Sequence, residues 1–128
     1  MLYGMTTERL LRDLYDAFNA RDVERLLQRM TDDVDWPNAW EGGRLMGRPA
    51  VRDYWTRQWA AIDPRVEPVS FATLPDAAVE VRVDQVVRTL DGDVVAEATV
   101  RHTYRFRDGL VARMDVTEEA PGGAAAGG

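Results

Sequence analysis

The sequence predicts a single α+β domain: a cone-shaped, curved antiparallel sheet covered by three N-terminal helices. Apolar residues recur at helical spacing as far as about residue 62, and from about residue 66 they alternate with polar residues at a period of two. The 128 residues make one ordinary domain, long enough to bury about two-thirds of the unfolded surface. Helices followed by a strand meander favour helices segregated to one face of the sheet. If the sheet curls, the two layers enclose a pocket.

Three helices are predicted in the first half of the chain. The first runs over about residues 6–20, and Asp22 is a good N-cap for a short second helix. The third begins near residues 47–49, where Pro49 suits the first helical position. Between the second and third helices, residues 34–38 read as a short extended stretch. The apolar positions of the three helices are, in order, Leu10, Leu11, Leu14, Tyr15 and Phe18; Val23, Leu26, Leu27 and Met30; and Val51, Tyr54, Trp55, Trp59 and Ile62.

The second half of the chain predicts antiparallel strands joined by tight turns. Asp91-Gly92 is a strong hairpin signal, and residues 107–109 predict a second turn. Alternation places Arg82, Asp84 and Asp115 on the face that points away from the helices, although a bulge could reverse this. The residues of the opposite face are Val79, Val81, Val83, Gln85, Ala96, Ala98, Val100, His102, Tyr104, Phe106, Ala112, Met114 and Val116.

Composition excludes several classes of function. The net charge of −6 and the absence of a basic stripe argue against nucleic-acid binding. No apolar run has a membrane-spanning length and no leader opens the chain, so we expect a cytoplasmic protein without a membrane partner. With no cysteine and one histidine we expect no metal site, and without a phosphate loop or dinucleotide motif we expect no cofactor. Residues 1–119 are predicted to form the domain, and residues 120–128, rich in Gly and Ala, a disordered tail.

His102 is the strongest candidate for a reactive residue. It is the only histidine, it lies on an otherwise apolar strand face, and it titrates in the range that general acid–base chemistry requires. The alternative is a structural histidine of the core. Asp35 and Asn38 flank Trp36-Pro37 at the expected pocket mouth, where they are candidates for catalysis or for simple turn chemistry. The aromatic residues between positions 36 and 59 are candidates for pocket lining or for core packing.

Four segments together resemble one protein superfamily. They are Tyr15-Asp16-Ala17-Phe18-Asn19-Ala20-Arg21-Asp22, Met30-Thr31-Asp32-Asp33-Val34, Gly47-Arg48-Pro49-Ala50-Val51 and Tyr104-Arg105-Phe106-Arg107-Asp108-Gly109-Leu110-Val111. In this order and spacing they resemble the nuclear transport factor 2-like superfamily, and within it the SnoaL-like and ketosteroid-isomerase-like proteins. The resemblance covers about residues 6–118. It implies a cone with a deep pocket, and a homodimer through the outer face of the sheet. It does not fix the function, which varies widely on this fold.

The catalytic residues of steroid isomerases do not carry over. The position of the carboxylate base falls on Asn38, which cannot abstract a proton, and that of the oxyanion-binding aspartic acid falls on His102. The tyrosine positions fall on Leu14, Met30 and Trp55. The resemblance therefore does not imply classical steroid isomerisation.

Two other templates within the superfamily match in part. Arg82-Val83-Asp84 and Trp36-Pro37-Asn38 resemble pieces of the limonene-type epoxide hydrolases, whose third carboxylate is expected near Val116, one residue from Asp115. SnoaL-type polyketide cyclases pair a pocket histidine with an aspartate on the last strand, which His102 and Asp115 match approximately.

The sequence-based hypothesis is a cofactor-independent enzyme acting on a hydrophobic, polyketide- or terpenoid-like small molecule. The reaction would be an isomerisation, cyclisation, dehydration or epoxide opening by general acid–base chemistry. A non-catalytic ligand-binding or dimeric scaffold domain is the alternative, and an epoxide hydrolase is a second one. The expected catalytic residues are His102, Asp35, Asn38 and Asp115. The expected substrate-binding residues are Phe18, Trp36, Tyr54, Trp59, Gln85, Val100 and Met114.

Overall fold

A computed structural model describes residues 6–118. Over this range the chain forms three helices and six strands, in the α+β arrangement that the sequence predicts. The elements are α1 (Thr7–Asn19), α2 (Val23–Gln28), β1 (Met30–Pro37), β2 (Arg44–Met46), α3 (Arg48–Ala61), β3 (Asp63–Thr73), β4 (Val79–Arg88), β5 (Val94–Arg107) and β6 (Leu110–Glu118). The predicted tail at residues 120–128 lies outside the described residues.

The helices begin where capping chemistry predicts. The Asp22 side chain accepts a hydrogen bond from the backbone N–H of Arg25, which makes Asp22 the N-cap of α2. Pro49 lies in the first turn of α3, where a missing N–H costs nothing. Gly47, just before that helix, has a φ of 90°, a backbone conformation that favours glycine.

The six strands form one sheet in the order β2-β1-β6-β5-β4-β3. β1 pairs in parallel with β6, and the other neighbouring strands are antiparallel. The sequence predicts only a short extended stretch at residues 34–38, whereas β1 begins at Met30, a residue predicted to belong to the second helix. The register of β1 against β6 shifts between Met30 and Asp35, and Asp32 and Asp33 in between are exposed. This irregularity hides the strand from a search for strict alternation.

Strands β4 and β5 follow the predicted alternation where they are buried, and β6 follows it from Met114 onward. At the start of β6 the register against β5 shifts between Arg105 and Phe106, so that Val111, and not the predicted Ala112, is fully buried. Val81 and Val83 are fully buried, whereas Arg82 and Asp84 between them are exposed. Asp108 and Gly109, with φ values of 55° and 78°, form the two-residue turn between β5 and β6. The inner face of the curved sheet packs against the helices, and the pocket lies in this layer.

Candidate functional site

A pocket of about 330 Å³ lies between the helices and the inner face of the sheet. None of its lining side chains, all within residues 6–118, is an acid or an arginine. The lining residues are Phe18, Trp36, Pro37, Ala39, Trp40, Tyr54, Trp55, Gln58, Ile62, Pro64, Val66, Gln85, Val87, Ala96, His102, Met114 and Val116. It is an aromatic and aliphatic cavity with a few polar groups, which is the usual make-up of a small-molecule site.

His102 lies in the wall of this pocket, in the middle of β5. Its side chain is 7% exposed, and its Nδ1 atom lies 2.7 Å from the hydroxyl of Tyr15 on α1. The Tyr104 hydroxyl, two residues along β5, donates a hydrogen bond of 2.8 Å to the Tyr15 hydroxyl. Neither tyrosine is among the lining residues, so the two hydroxyl groups lie behind the imidazole as seen from the pocket. We call His102, Tyr15 and Tyr104 together the relay.

Burial keeps the relay uncharged at neutral pH. It lowers the pKa of His102 from 6.5 to about 4, because an imidazolium ion in this site would lose its hydration. Burial also raises the pKa of Tyr15 and of Tyr104 well above the ordinary range. At pH 7 the pocket therefore contains a neutral imidazole with two neutral phenols behind it.

A second pair of polar side chains in the pocket wall, Tyr54 and Gln58, lies on helix α3. The Gln58 side-chain amide donates a 3.2 Å hydrogen bond to the Tyr54 hydroxyl, which also accepts one of 3.2 Å from the backbone N–H of Ala39. Burial is the main cause that raises the pKa of Tyr54, so this phenol is also neutral. With Gln85 on β4, the pocket offers polar contacts on two elements besides β5.

The apolar lining agrees with the predicted residues at four of six positions. Phe18, Trp36, Tyr54 and Met114 line the pocket. Trp59 and Val100 were also expected there, and the structure corrects this in two ways. Trp59 is not among the lining residues, and its ring centroid lies 5.5 Å from that of Phe18 and 6.0 Å from that of Trp55. The Val100 side chain is buried opposite Val83 in the neighbouring strand.

Asp35 and Asp115 lie on the other side of the sheet from His102. Both bind Arg44 of β2 and Arg113 of β6, and we call these four residues the Arg44 cluster. The nitrogen–oxygen distances are 2.6 Å from Arg44 to Asp35, 3.0 Å from Arg44 to Asp115, 2.8 Å from Arg113 to Asp35 and 2.9 Å from Arg113 to Asp115. The hydrogen bond from Arg113 is the main cause that lowers the pKa of Asp115. This corrects the expectation that either carboxylate would lie beside His102.

The Asn38 side chain bonds to the backbone of its own loop and is not among the residues that line the pocket. Its side-chain oxygen accepts hydrogen bonds from the backbone N–H groups of Trp40 and Glu41, at 3.2 and 3.0 Å. This is the turn chemistry that the sequence left open as the alternative. The Arg82-Val83-Asp84 piece of the epoxide-hydrolase template does not reach the pocket, because Arg82 and Asp84 are on the exposed face of β4. The Asp84 carboxylate accepts a hydrogen bond from the Thr99 hydroxyl.

Sequence reasoning missed Tyr15, Tyr104 and Gln58 as polar members of the site. Tyr15 and Tyr104 were counted as apolar core positions, which is true of their rings. Their hydroxyl groups had to find partners once buried, and that requirement was the available signal. Gln58 interrupts the buried face of α3 at four residues from Tyr54, so a polar residue on an apolar helix face was the signal there.

Comparison with known proteins supports the fold. The family model for the SnoaL-like domain matches residues 11–114. The structure of TerC co-crystallised with polyporic acid is 24% identical and covers 90% of this chain and 92% of its own, with a TM-score of 0.75. A predicted polyketide cyclase from Sinorhizobium meliloti is 21% identical over 85% of this chain and 94% of its own, with a TM-score of 0.73. A Mycobacterium tuberculosis protein in complex with estradiol-17β-hemisuccinate is 20% identical over 88% and 93%, with a TM-score of 0.75.

Other similar structures are described as an NTF2-like protein, a cystatin-fold protein and a protein with a ketosteroid isomerase-like fold. At identities below 25% these likenesses show the fold alone. No curated protein matches the sequence significantly.

Among residues 6–118, no group of three or more His, Asp or Glu side chains is arranged to hold a metal ion. In the same range no helix combines the length and the apolar character needed to cross a membrane.

Proposed function

The chain belongs to the SnoaL-like family, and on that premise we propose that it is a cofactor-independent enzyme for a neutral, hydrophobic, polyketide- or terpenoid-like small molecule. The pocket binds the ring system of the substrate between the aromatic residues of β1 and α3 and the apolar face of the sheet. His102 acts on a polar group of the substrate, and Tyr54, Gln58 and Gln85 orient it. The reaction is a rearrangement without a cofactor, such as an isomerisation, cyclisation or dehydration.

The single observation that carries this proposal is the position of His102. It is the only imidazole that lines the pocket within residues 6–118, and the other lining side chains there are uncharged. An uncharged, buried site favours neutral ligands, because an ionised ligand would lose its hydration without gaining a partner. The volume of about 330 Å³ is in the range of small-molecule sites.

The ligands of similar structures support a ring-containing, hydrophobic substrate, whereas the neutrality of the substrate rests on the uncharged lining alone. TerC was crystallised with polyporic acid, and the Mycobacterium tuberculosis protein with estradiol-17β-hemisuccinate. Both ligands carry rings and oxygen functions, which suit a pocket of aromatic walls with a few hydrogen-bonding side chains.

The test combines binding with product analysis. Estradiol and a panel of neutral polycyclic aromatic ketones are titrated against the protein, with quenching of tryptophan fluorescence as the readout because Trp36, Trp40 and Trp55 line the pocket. Ligands that bind are incubated and analysed by liquid chromatography and mass spectrometry. An isomer of the ligand, or a product that has lost water, is expected with the wild type and with Thr103→Val on the outer face, and neither is expected with His102→Phe. Turnover that survives in His102→Phe would contradict the proposal.

A binding domain without catalysis is the second candidate. It is favoured by the absence of a carboxylate from the lining residues, since the bases of related isomerases are carboxylates and both expected carboxylates lie in the Arg44 cluster. Recovery of every bound ligand chemically unchanged would support it. Epoxide opening by an Asp-Arg-Asp arrangement has no such support, because the residues expected for it lie on the outer face of the sheet. An epoxide incubated in heavy-oxygen water should therefore give no labelled diol.

A homodimer through the outer face of the sheet and a cytoplasmic location stay predictions. Size-exclusion chromatography with light scattering tests the first. A mass of about twice 14.4 kDa is expected for the dimer.

A further inference from the structure

We propose that Tyr15 is a positioning residue that fixes His102 as its Nε2–H tautomer, so that His102 donates a hydrogen bond to an acceptor oxygen of the ligand instead of acting as a base. This inference rests on the proposed function and specifies its substrate class. The ligand must present a carbonyl, or an oxygen that becomes negatively charged during the reaction, to the wall formed by β5.

The hydrogen-bond donors of the relay have one arrangement that satisfies all of them. The Tyr104 hydroxyl is buried, and its hydrogen-bond partners within residues 6–118 are the Tyr15 hydroxyl at 2.8 Å and, at the limit of 3.5 Å, Nδ1 of His102. It therefore donates to Tyr15. The Tyr15 hydroxyl, which accepts that bond, has its own proton left for Nδ1 of His102 at 2.7 Å.

This arrangement uses every donor once. If Nδ1 carried a proton instead, three donors would compete for two hydroxyl oxygens, and one of them would be left buried without an acceptor. An unsatisfied buried donor costs about 1–3 kcal/mol, so the arrangement with an unprotonated Nδ1 is favoured. The remaining ring proton of a neutral imidazole is then on Nε2. The imidazolium form is disfavoured for the same reason, in addition to its loss of hydration.

Nε2 is the atom left to meet a ligand. Within residues 6–118 it has no hydrogen-bond partner, and it is not among the fully buried unpaired atoms of the structure. His102 lines the pocket whereas Tyr15 and Tyr104 do not. The group on the pocket side of the ring is therefore an N–H donor.

The surroundings of His102 leave this donor neutral. Tyr15 faces it from α1 and Tyr104 from its own strand, and its partners in the neighbouring strands are Val81 of β4 and Val116 of β6. Across the pocket, α3 presents the neutral Tyr54–Gln58 pair. No acid or arginine among these groups can pull the imidazole into its charged form.

A neutral imidazole N–H is suited to polarising a carbonyl group. It stabilises negative charge that develops on the oxygen, because the donor is already oriented by its bond to Tyr15. No proton needs to leave the ring, because the hydrogen bond alone stabilises the oxyanion. The Tyr104 hydroxyl, by donating to Tyr15, strengthens the bond from Tyr15 to Nδ1, which by itself fixes the tautomer.

Nitrogen-15 NMR of the tag-free protein tests the tautomer directly. Because His102 is the only histidine, selective labelling of histidine gives one pair of ring-nitrogen signals. We expect a protonated Nε2 and an unprotonated, hydrogen-bonded Nδ1, unchanged from about pH 5 to about pH 8. A protonated Nδ1, or a ring that becomes doubly protonated near pH 6.5, would overturn the inference.

Two variants separate positioning by Tyr15 from mere packing. Tyr15→Phe keeps the ring but removes the donor to Nδ1, so the signals should move towards a mixture of tautomers. Tyr104→Phe is the matched control, since it removes one buried hydroxyl but leaves the Tyr15 bond to Nδ1, and the wild-type tautomer should persist. Ring-nitrogen signals in folded Tyr15→Phe that equal those of the wild type would contradict the role of Tyr15. If that variant does not fold, the wild-type spectrum alone still decides the tautomer.

A pair of small probes tests the donor role. 2-Tetralone and tetralin share the same bicyclic skeleton and differ in one carbonyl oxygen. The preference of the wild type for the ketone, measured as the ratio of dissociation constants by fluorescence quenching, should exceed that of His102→Phe about fivefold, the value of one neutral hydrogen bond. Equal ratios with saturable binding would overturn the donor role and leave the pocket's ligand-binding role intact. If neither probe nor any ligand of the wider panel binds, the proposed function fails and the donor role fails with it.

Discussion

The two faces of strands β5 and β6 carry opposite kinds of polar structure. On the inner face, His102 is paired across the strands with Val116 and linked to two buried phenols. On the outer face, one residue away along each strand, Thr103 is paired with Asp115 of the Arg44 cluster. The polar groups of the inner face are neutral and buried, whereas those of the outer face are charged and partly exposed.

The difference shows how burial selects the chemistry that each face can hold. A carboxylate placed among the pocket-lining residues would lose its hydration and find no arginine there, which is costly. In the Arg44 cluster the carboxylates share two guanidinium groups and keep contact with solvent, with Asp35 and Asp115 side chains 19% and 37% exposed. Strand alternation therefore divides the fold into a neutral face for a ligand and a charged face that joins β2, β1 and β6.

The largest expected effect is a difference in the free energy of unfolding between substitutions on the two faces of β5. Tyr104→Ala removes a side chain that is 1% exposed and leaves a cavity, so it should lower the free energy of unfolding by about 3–5 kcal/mol. Thr103→Ala, one residue away on the outer face, should cost less than about 1 kcal/mol. Urea unfolding monitored by tryptophan fluorescence measures both. Similar values for the two variants would mean that β5 is not divided in this way.

The inner face should also give the stability a distinct pH dependence. The pKa of the His102 imidazole is about 4 in the folded chain and 6.5 without burial. As the pH falls, the unfolded chain therefore binds a proton at this side chain before the folded chain does. The stabilisation is complete above pH 6.5 and is lost as the pH falls towards about 4, by up to about 3 kcal/mol. Urea unfolding at pH 7, 6 and 5 measures the loss. His102→Phe should be nearly flat over this window, and a slope equal to that of the wild type would assign the effect to another group.

The outer face should respond to salt. Arg44 contacts both carboxylates and two backbone carbonyl groups, so Arg44→Ala should cost about 1–2 kcal/mol at low ionic strength. Arg57→Ala is the matched control, because it removes one exposed pair with Asp53 on α3 and should cost less than about 0.5 kcal/mol. Thermal unfolding with and without 0.5 M NaCl compares the two. A loss of stability in Arg44→Ala as small as that in Arg57→Ala would show that the Arg44 cluster does not stabilise the fold.

Sequence reasoning reached the helices, the tight turns and the face of His102 because each depends on residues close together in the chain. It did not reach the parallel pairing of β1 with β6, since that contact joins distant segments and the exposed Asp32 and Asp33 break the alternation of β1. The same limit applies to the relay, because the Tyr15 and His102 atoms that meet are 87 residues apart. Alternation alone placed Asp115 on the outer face, and the expectation of a pocket role for it came from the family resemblance.

The central claim is that the inner face serves the ligand and the outer face serves the fold, and one paired measurement tests it most directly. Dissociation constants for 2-tetralone and free energies of unfolding are measured for the wild type, His102→Phe and Asp115→Asn. We expect His102→Phe to weaken binding about fivefold, and Asp115→Asn to leave binding within about twofold while it lowers stability by about 1 kcal/mol. Loss of binding in Asp115→Asn, with wild-type binding in His102→Phe, would contradict the claim.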